Sequence, residues 1–199
     1  MKLILASASP RRAEILRAAG LEFQVVSSAV DETPLPGEQL VDLVQRLSLA
    51  KARLVAARAV GSAIVIAADT IVELEGRVFG KPQSADDARR MLEELSGRTH
   101  AVHTGLALIR LPDQELREAV ETTRVTFAAL RREEILQYLA SGEPFDKAGA
   151  YAIQGRGGRF IPRIEGCYFN VVGLPLARLL ALLYELGWTE DGRTGAPRV

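Results

Sequence analysis

The chain has 199 residues, of which 48% are apolar, enough to bury the core of one sizeable domain or of two small lobes around a cleft; disorder is expected only at the end. Its 25 basic and 25 acidic residues cancel and form no block of like charge, so general attraction to nucleic acid or to an anionic membrane is not indicated. An anion would have to be held by a local cluster. Cys167 is the single cysteine, which rules out an intrachain disulfide.

In chain order, "KLILAS" reads as a short buried strand. The opening "MKLILASASP" is too short and too quickly polar for a signal peptide, and no apolar run is long enough to span a bilayer, so the expected location is the cytoplasm. "SASPRRAEIL" then starts a helix, with the Ser9 hydroxyl as cap and Pro10 in the first helical position. Arg12 stands where a capping box would place an acid, beside Arg11, so two cations meet the positive end of the helix dipole. Ile15, Leu16 and Ala19 form the inward stripe, and Gly20 ends the helix.

"EFQVVSS" reads as a second strand, and "VDETPLPGE" as a Pro-broken segment that puts Asp31 and Glu32 at a strand end or in a loop. A long helix is predicted from about Glu38 to Ala59, with Lys51 late in it. "AIVIAADTIVELEGRVFGKP" reads as a buried strand, then Asp69-Thr70, then a hairpin turning at Glu75-Gly76. "SADDARRMLEEL" is a capped helix. "THAVHTGLALIRL" and "LREAVETTRVTFAAL" form a hairpin joined by "PDQE", and "RREEILQYLASG" is a helix ending at Gly142. In the Gly-rich stretch that follows, strands and loops are hard to separate. The last helix occupies about Pro175 to Leu186, and residues 189–199 look like a frayed tail. Helices and strands alternate first and segregate into hairpins later, which favours a mixed α/β fold of two lobes, without repeats or a clear interdomain linker.

Three features converge on phosphate. The opening helix offers backbone N–H groups, hydroxyls and the Arg11–Arg12 pair at one point; a helix start of this kind suits an anion, and arginine forks match phosphate oxygens. The competing reading sends both arginines into solvent. Asp69 follows a buried strand and emerges at its C-terminal end, where a carboxylate can hold a divalent cation or orient a water; the competing reading is an Asx-type turn. The only lysines are Lys2, Lys51, Lys81 and Lys147 in a chain otherwise served by arginine, so each internal lysine is a candidate phosphate ligand. Together they supply the cations a polyphosphate needs, with Glu32 and Asp69 as metal ligands. His100 and His103 read as an ordinary strand face in preference to a two-histidine metal site.

The ordered set "LASASPRRAEIL", "VDE", "LAKARLV", "AADTIV", "GKP", "LSGRTHAVHTG", "EPFDKAGAYAIQG" and "IEGCYFNVVGLP" resembles the Maf family of nucleotide pyrophosphatases over nearly the whole chain. The resemblance implies a single domain over 1–188. Its expected architecture is mixed α/β, with a deep cleft between lobes, as in the inosine triphosphate pyrophosphatases. It also implies hydrolysis of a nucleoside triphosphate to the monophosphate and pyrophosphate with a divalent cation, Mg2+ or Mn2+, and often a homodimer. Carried over by motif, Ser7, Arg11 and Arg12 match the phosphate-binding opening, and Glu32 matches a carboxylate that acts through metal. Lys51 and Lys81 match lysines that neutralise the phosphate chain; Lys147 lies in a family block too. Asp69 matches the proton acceptor that activates water, shared with the metal site.

Arg12, Thr70 and Gln154 match the positions associated with the dTTP/UTP branch. Ala68 and Ala152 stand where family members commonly show glycine, which would narrow the pocket or alter a loop. The competing functions are a preference for 7-methyl-GTP or noncanonical purines, and a non-catalytic nucleotide-binding regulator of cell division.

Overall fold

Residues 2–5 are apolar after Lys2, and as strand β1 (Lys2–Leu5) they bury three consecutive side chains. The structure is a computed structural model and describes residues 1–190. The expected tail over 189–199 lies, from 191 on, outside the described residues. After β1 come helix α1 (Pro10–Ala18), strand β2 (Phe23–Val25), helix α2 (Leu40–Ala56), strand β3 (Ala63–Leu74) and strand β4 (Arg77–Phe79). Helix α3 (Ala85–Leu95), strands β5 (Thr99–Leu111) and β6 (Glu115–Thr126) and helix α4 (Arg132–Leu139) follow. The Gly-rich stretch resolves into 3-10 turns at Glu143–Asp146, Ala148–Ala150 and Arg156–Phe160. Strand β7 (Arg163–Glu165) and helices α5 (Tyr168–Val172) and α6 (Leu176–Glu185) are the last elements among the described residues. The strands make one mixed seven-stranded sheet in the order β2-β1-β3-β5-β6-β7, with β4 paired to β3. The expected mixed α/β class is borne out.

The chain divides into two compact units, one of residues 1–69, 104–121 and 173 onward, the other of 70–103 and 122–172. In the first, β1 pairs in parallel with β2 and with β3, Leu5 lying opposite Ile66. Helix α2 covers one face, where Ala52, Val55 and Ala56 pack among Ile4, Ala6, Val65, Ala67, Ala107 and Ile109. Gly105 lets α2 come this close: a Cβ there would sit 2.3 Å from the Val44 carbonyl oxygen. In the second unit, α3 is capped by Ser84, whose hydroxyl accepts from Asp87 N at 3.1 Å. It buries Leu92 and Leu95 in a core with Phe79, Phe127, Tyr138, Tyr151 and Phe160. Burial of each such leucine contributes on the order of 2 kcal/mol. The β3–β4 turn at Glu75-Gly76 has both residues at positive φ (52° and 83°), the conformation a tight hairpin of this kind requires.

The structure corrects three local expectations. Ala19 is exposed and Ala13 takes its place in the buried face of α1, because Ala19 follows the last helical residue and the chain turns away there. Ser9 occupies the cap position, but its side chain makes no cap hydrogen bond; its own N–H donates to Ser7 Oγ at 3.2 Å. Strand β2 covers only three residues, so Ser27 and Ser28 lie beyond it, with Ser28 Oγ donating to Ala6 O. Among the described residues, no helix is long and apolar enough to cross a membrane.

His100 and His103 take separate partners. His103 Nδ1 lies 2.9 Å from Thr122 Oγ1, while buried His100 has Nε2 2.8 Å from Tyr151 Oη. The His100 ring meets Phe127 and Tyr151 edge-on. Burial pushes the His100 pKa down to about 4 from an ordinary 6.5. The unfolded chain therefore takes up a proton below pH 6.5 that the folded chain resists until about pH 4. This group's contribution is complete above pH 6.5 and is lost as pH falls, by about 3 kcal/mol in all. Urea unfolding of wild type and His100→Gln should show a stability gap that narrows or reverses between pH 7 and pH 4. A gap independent of pH contradicts this assignment.

Candidate active site

The geometry of the first unit starts from the parity of β3. Val65, Ala67 and Asp69 alternate onto one face of the strand, and the first two pack under α2. On α2 the buried row runs Val44, Leu47, Lys51 and Val55, at helical spacing, so Lys51 is carried inward with the apolar residues. Its ammonium meets Asp69 Oδ1 at 2.5 Å and Glu32 Oε1 at 2.6 Å. Lys51 and Asp69 are each only 7% exposed, whereas the Glu32 side chain is 63% exposed. Lys51 is thus a buried cation spanning two carboxylates.

Asp69 does not close a strand, as the sequence suggested; it lies inside the continuous β3. The reason is that β3 outruns its partner: pairing with β1 ends at Ile66, and pairing with β4 begins at Val72. Asp69 sits in the gap, beyond the C-terminal end of the parallel pair, which keeps the chemical sense of the original placement.

Arg12 completes this group. Its Nε donates to Gly173 O at 2.8 Å and its Nη1 to Ser7 Oγ at 3.1 Å, so the guanidinium is fixed from two sides. Burial lowers its pKa, Asp69 draws it up, Arg11 pushes it down and Glu32 draws it up again. Arg11, Arg12, Glu32 and Asp69 therefore share one field. Burial also pushes the Asp69 carboxyl above its ordinary value, against the pull of Lys51 and Arg12 and with a small push from Glu32. A carboxylate raised in this way is a better proton acceptor for water than an exposed one.

The segment carrying Glu32 is held by residues the motif reading missed. Asp31 Oδ1 accepts from Thr33 N and Thr33 Oγ1, closing a turn around Glu32. Glu38 binds Arg46 through both oxygens and accepts from Leu35 N, and Arg46 reaches Thr33 O. The Arg46 fork holds the Glu38 carboxyl down at about 2. A signal for this lay in the sequence: Glu38 and Arg46 stand about two helical turns apart across the start of α2, directly after the Pro-rich loop.

The other expected residues belong to the second unit. Thr70 follows Asp69 in β3 and is half-buried. Lys81 is exposed on the segment after β4, where Gly80 O accepts from Gly149 N at 3.1 Å. That bond joins its backbone to the loop of Lys147, whose Nζ donates to Glu143 O at 2.7 Å and to Asp146. Gln154 is exposed. Ala68 is fully buried and Ala152 nearly so.

Two carboxylate oxygens converging on one ammonium form a donor set that suits a divalent cation. Among the described residues, no group of three or more His, Cys, Asp or Glu side chains could hold a metal. Two carboxylates, with substrate oxygens and water making up the rest, are nevertheless the usual protein share for Mg2+. Glu32 and Asp69 fit that role.

Residues 2–186 match the family described as Maf-like protein. The chain belongs to this family. It is 51% identical to a dTTP/UTP pyrophosphatase of Citrifermentans bemidjiense, over 93% of this chain and 95% of that one. It is 52% identical to a dTTP/UTP pyrophosphatase of Symbiobacterium thermophilum, over 94% of this chain and 95% of that one. Among solved structures it is similar to the Staphylococcus aureus Ham1 protein at 15% identity and a TM-score of 0.49. That alignment covers 94% of this chain and 100% of the other, and a likeness of this size carries no argument about chemistry.

Replacing Lys51 by Met strands the buried Asp69 carboxylate. The urea-derived stability should fall by about 3 kcal/mol, the usual scale for breaking a buried ion pair by one partner. Adding Asp69→Asn should recover part of the loss. A single variant as stable as wild type would contradict the buried pairing.

Proposed function

We propose that the chain hydrolyses nucleoside triphosphates at the α-phosphorus, releasing the monophosphate and pyrophosphate, with dTTP and UTP preferred. The observation that carries this reading is the buried Asp69 carboxylate held against Lys51, with Arg12 in the same field. The chain that contains it is about half identical to relatives named dTTP/UTP pyrophosphatase.

In this mechanism Asp69 accepts a proton from water as the water oxygen attacks the α-phosphorus. The bond from that phosphorus to the bridging oxygen breaks, and its electron pair leaves on pyrophosphate. Lys51 keeps Asp69 ionised and aimed, Arg11 and Arg12 bind phosphate oxygens, and Ser7 holds the Arg12 fork in place. Glu32 and Asp69 would hold the divalent cation, Mg2+ or Mn2+, which when bound supplies neutralisation of the phosphate charge. In the second unit, Lys81 and Lys147 serve phosphate. Thr70 and Gln154 bear on the base, the Gln154 amide offering a donor and an acceptor to a pyrimidine edge.

A panel of pyrimidine and purine nucleoside triphosphates, 7-methyl-GTP included, assayed for pyrophosphate with Mg2+ and with Mn2+, should rank dTTP and UTP first. Asp69→Asn should lower turnover by about 100-fold or more with unchanged circular dichroism. A purine preference overturns the base assignment. Near wild-type turnover in the variant removes Asp69 from the chemistry, and absence of pyrophosphate release under excess substrate favours a nucleotide-binding regulator.

A further inference from the structure

One carboxylate in the second unit has more partners than a surface glutamate needs. Glu143 Oε1 accepts from Tyr138 Oη at 2.8 Å and from Gly157 N at 3.0 Å, and Oε2 accepts from Arg156 N at 2.9 Å. Tyr138 Oη in turn accepts from Ala152 N at 3.1 Å. Residues 152–155 are irregular backbone leading into the 3-10 turn that starts at Arg156, and Gln154 sits exposed among them.

The glycines of this loop are shaped to the carboxylate. A Cβ on Gly155, which has φ +103°, would lie 2.7 Å from Glu143 Oε2. One on Gly157 would lie 2.6 Å from Ala152 O and 2.7 Å from Tyr138 Oη. Neither position tolerates a side chain while the bracket is closed. The Glu143 pKa is lowered overall: burial pushes it up, but the Arg156 and Gly157 amides, Tyr138 and Lys147 together prevail. The same residue's carbonyl oxygen accepts from Lys147 Nζ. Its side chain therefore holds the Gln154 loop, while its main chain holds Lys147.

We propose that Glu143 is the positioning residue for nucleotide binding by the second unit: its carboxylate, with Tyr138, fixes the 152–157 loop that presents Gln154. This rests on the pyrophosphatase reading above. Glu143 itself touches no reacting atom. Its loss should weaken the grip on substrate and spare the chemistry of Asp69.

The test is Glu143→Gln, which keeps size but sets an NH2 group against an N–H donor. For whichever nucleotide the wild type hydrolyses best, KM should rise by about tenfold with kcat within about threefold. Tyr138→Phe should move KM in the same direction, by less. Amide exchange at Arg156 and Gly157 should quicken in Glu143→Gln, while the Gly149 amide, bonded to the Gly80 carbonyl, should not change.

An unchanged KM, a kcat that falls as much as kcat/KM, or unaltered exchange at Arg156 and Gly157 would overturn the proposal. A Gln154→Ala enzyme with wild-type KM and base ranking would overturn the role given to Gln154 and not the bracket. The KM and exchange changes at Glu143 are measured without it.

Discussion

A carboxylate buried inside a strand is stable only where a matched cation meets it. Asp69 is such a group, and Lys51 meets it from α2 at 2.5 Å. This pair sets the conditions for the rest of the first unit. It requires α2 to lie close on the sheet, which Gly105 permits by presenting no side chain to the Val44 carbonyl. It requires β3 to run past the end of β1, so that Asp69 lies beyond the β1 pairing without leaving the strand. Burial then raises the carboxyl while Lys51 and Arg12 restrain it, which is the balance a water-activating base needs.

The surrounding charges are organised in the same economical way, each held by a neutral or oppositely charged anchor. Arg12 donates to a serine hydroxyl and a backbone carbonyl and lies in the field of Asp69 and Glu32. The two arginines at the start of α1 oppose the helix dipole, a modest cost that an anion at the same point would remove. Glu32 is bound through one oxygen and largely solvated, on a loop clamped by Asp31 and by the Glu38–Arg46 pair. Rigid elements thus carry Asp69 and Lys51, and a braced loop carries the exposed acid.

Much of this was legible in the sequence, for identifiable reasons. The apolar run before Asp69, the Pro10 helix start, the Ser84 cap and the Glu75-Gly76 turn are local signals, and each forms where the residues say. The internal lysines stood out because arginine does the generic work in this chain. What was hidden was hidden by tertiary structure. A strand buried on both faces has no alternation to show where it ends, so Asp69 looked terminal. Lys51 stood out by its residue type, but its burial on the same row as Leu47 and Val55 is set by the packing of α2 on the sheet. The Ser9 hydroxyl was expected to cap, but Ser7 takes the Ser9 amide and the Arg12 fork together. In the Gly-rich stretch, the Glu143 bracket joins residues up to fourteen apart, and no periodicity reports such a bond.

The central claim is that water activated at Asp69 attacks the α-phosphorus. Hydrolysis of dTTP in 18O-labelled water, followed by mass spectrometry of both products, tests it most directly. The account predicts one labelled oxygen in the nucleoside monophosphate and none in pyrophosphate. Label in the pyrophosphate would place the attack on the β-phosphorus and contradict the account.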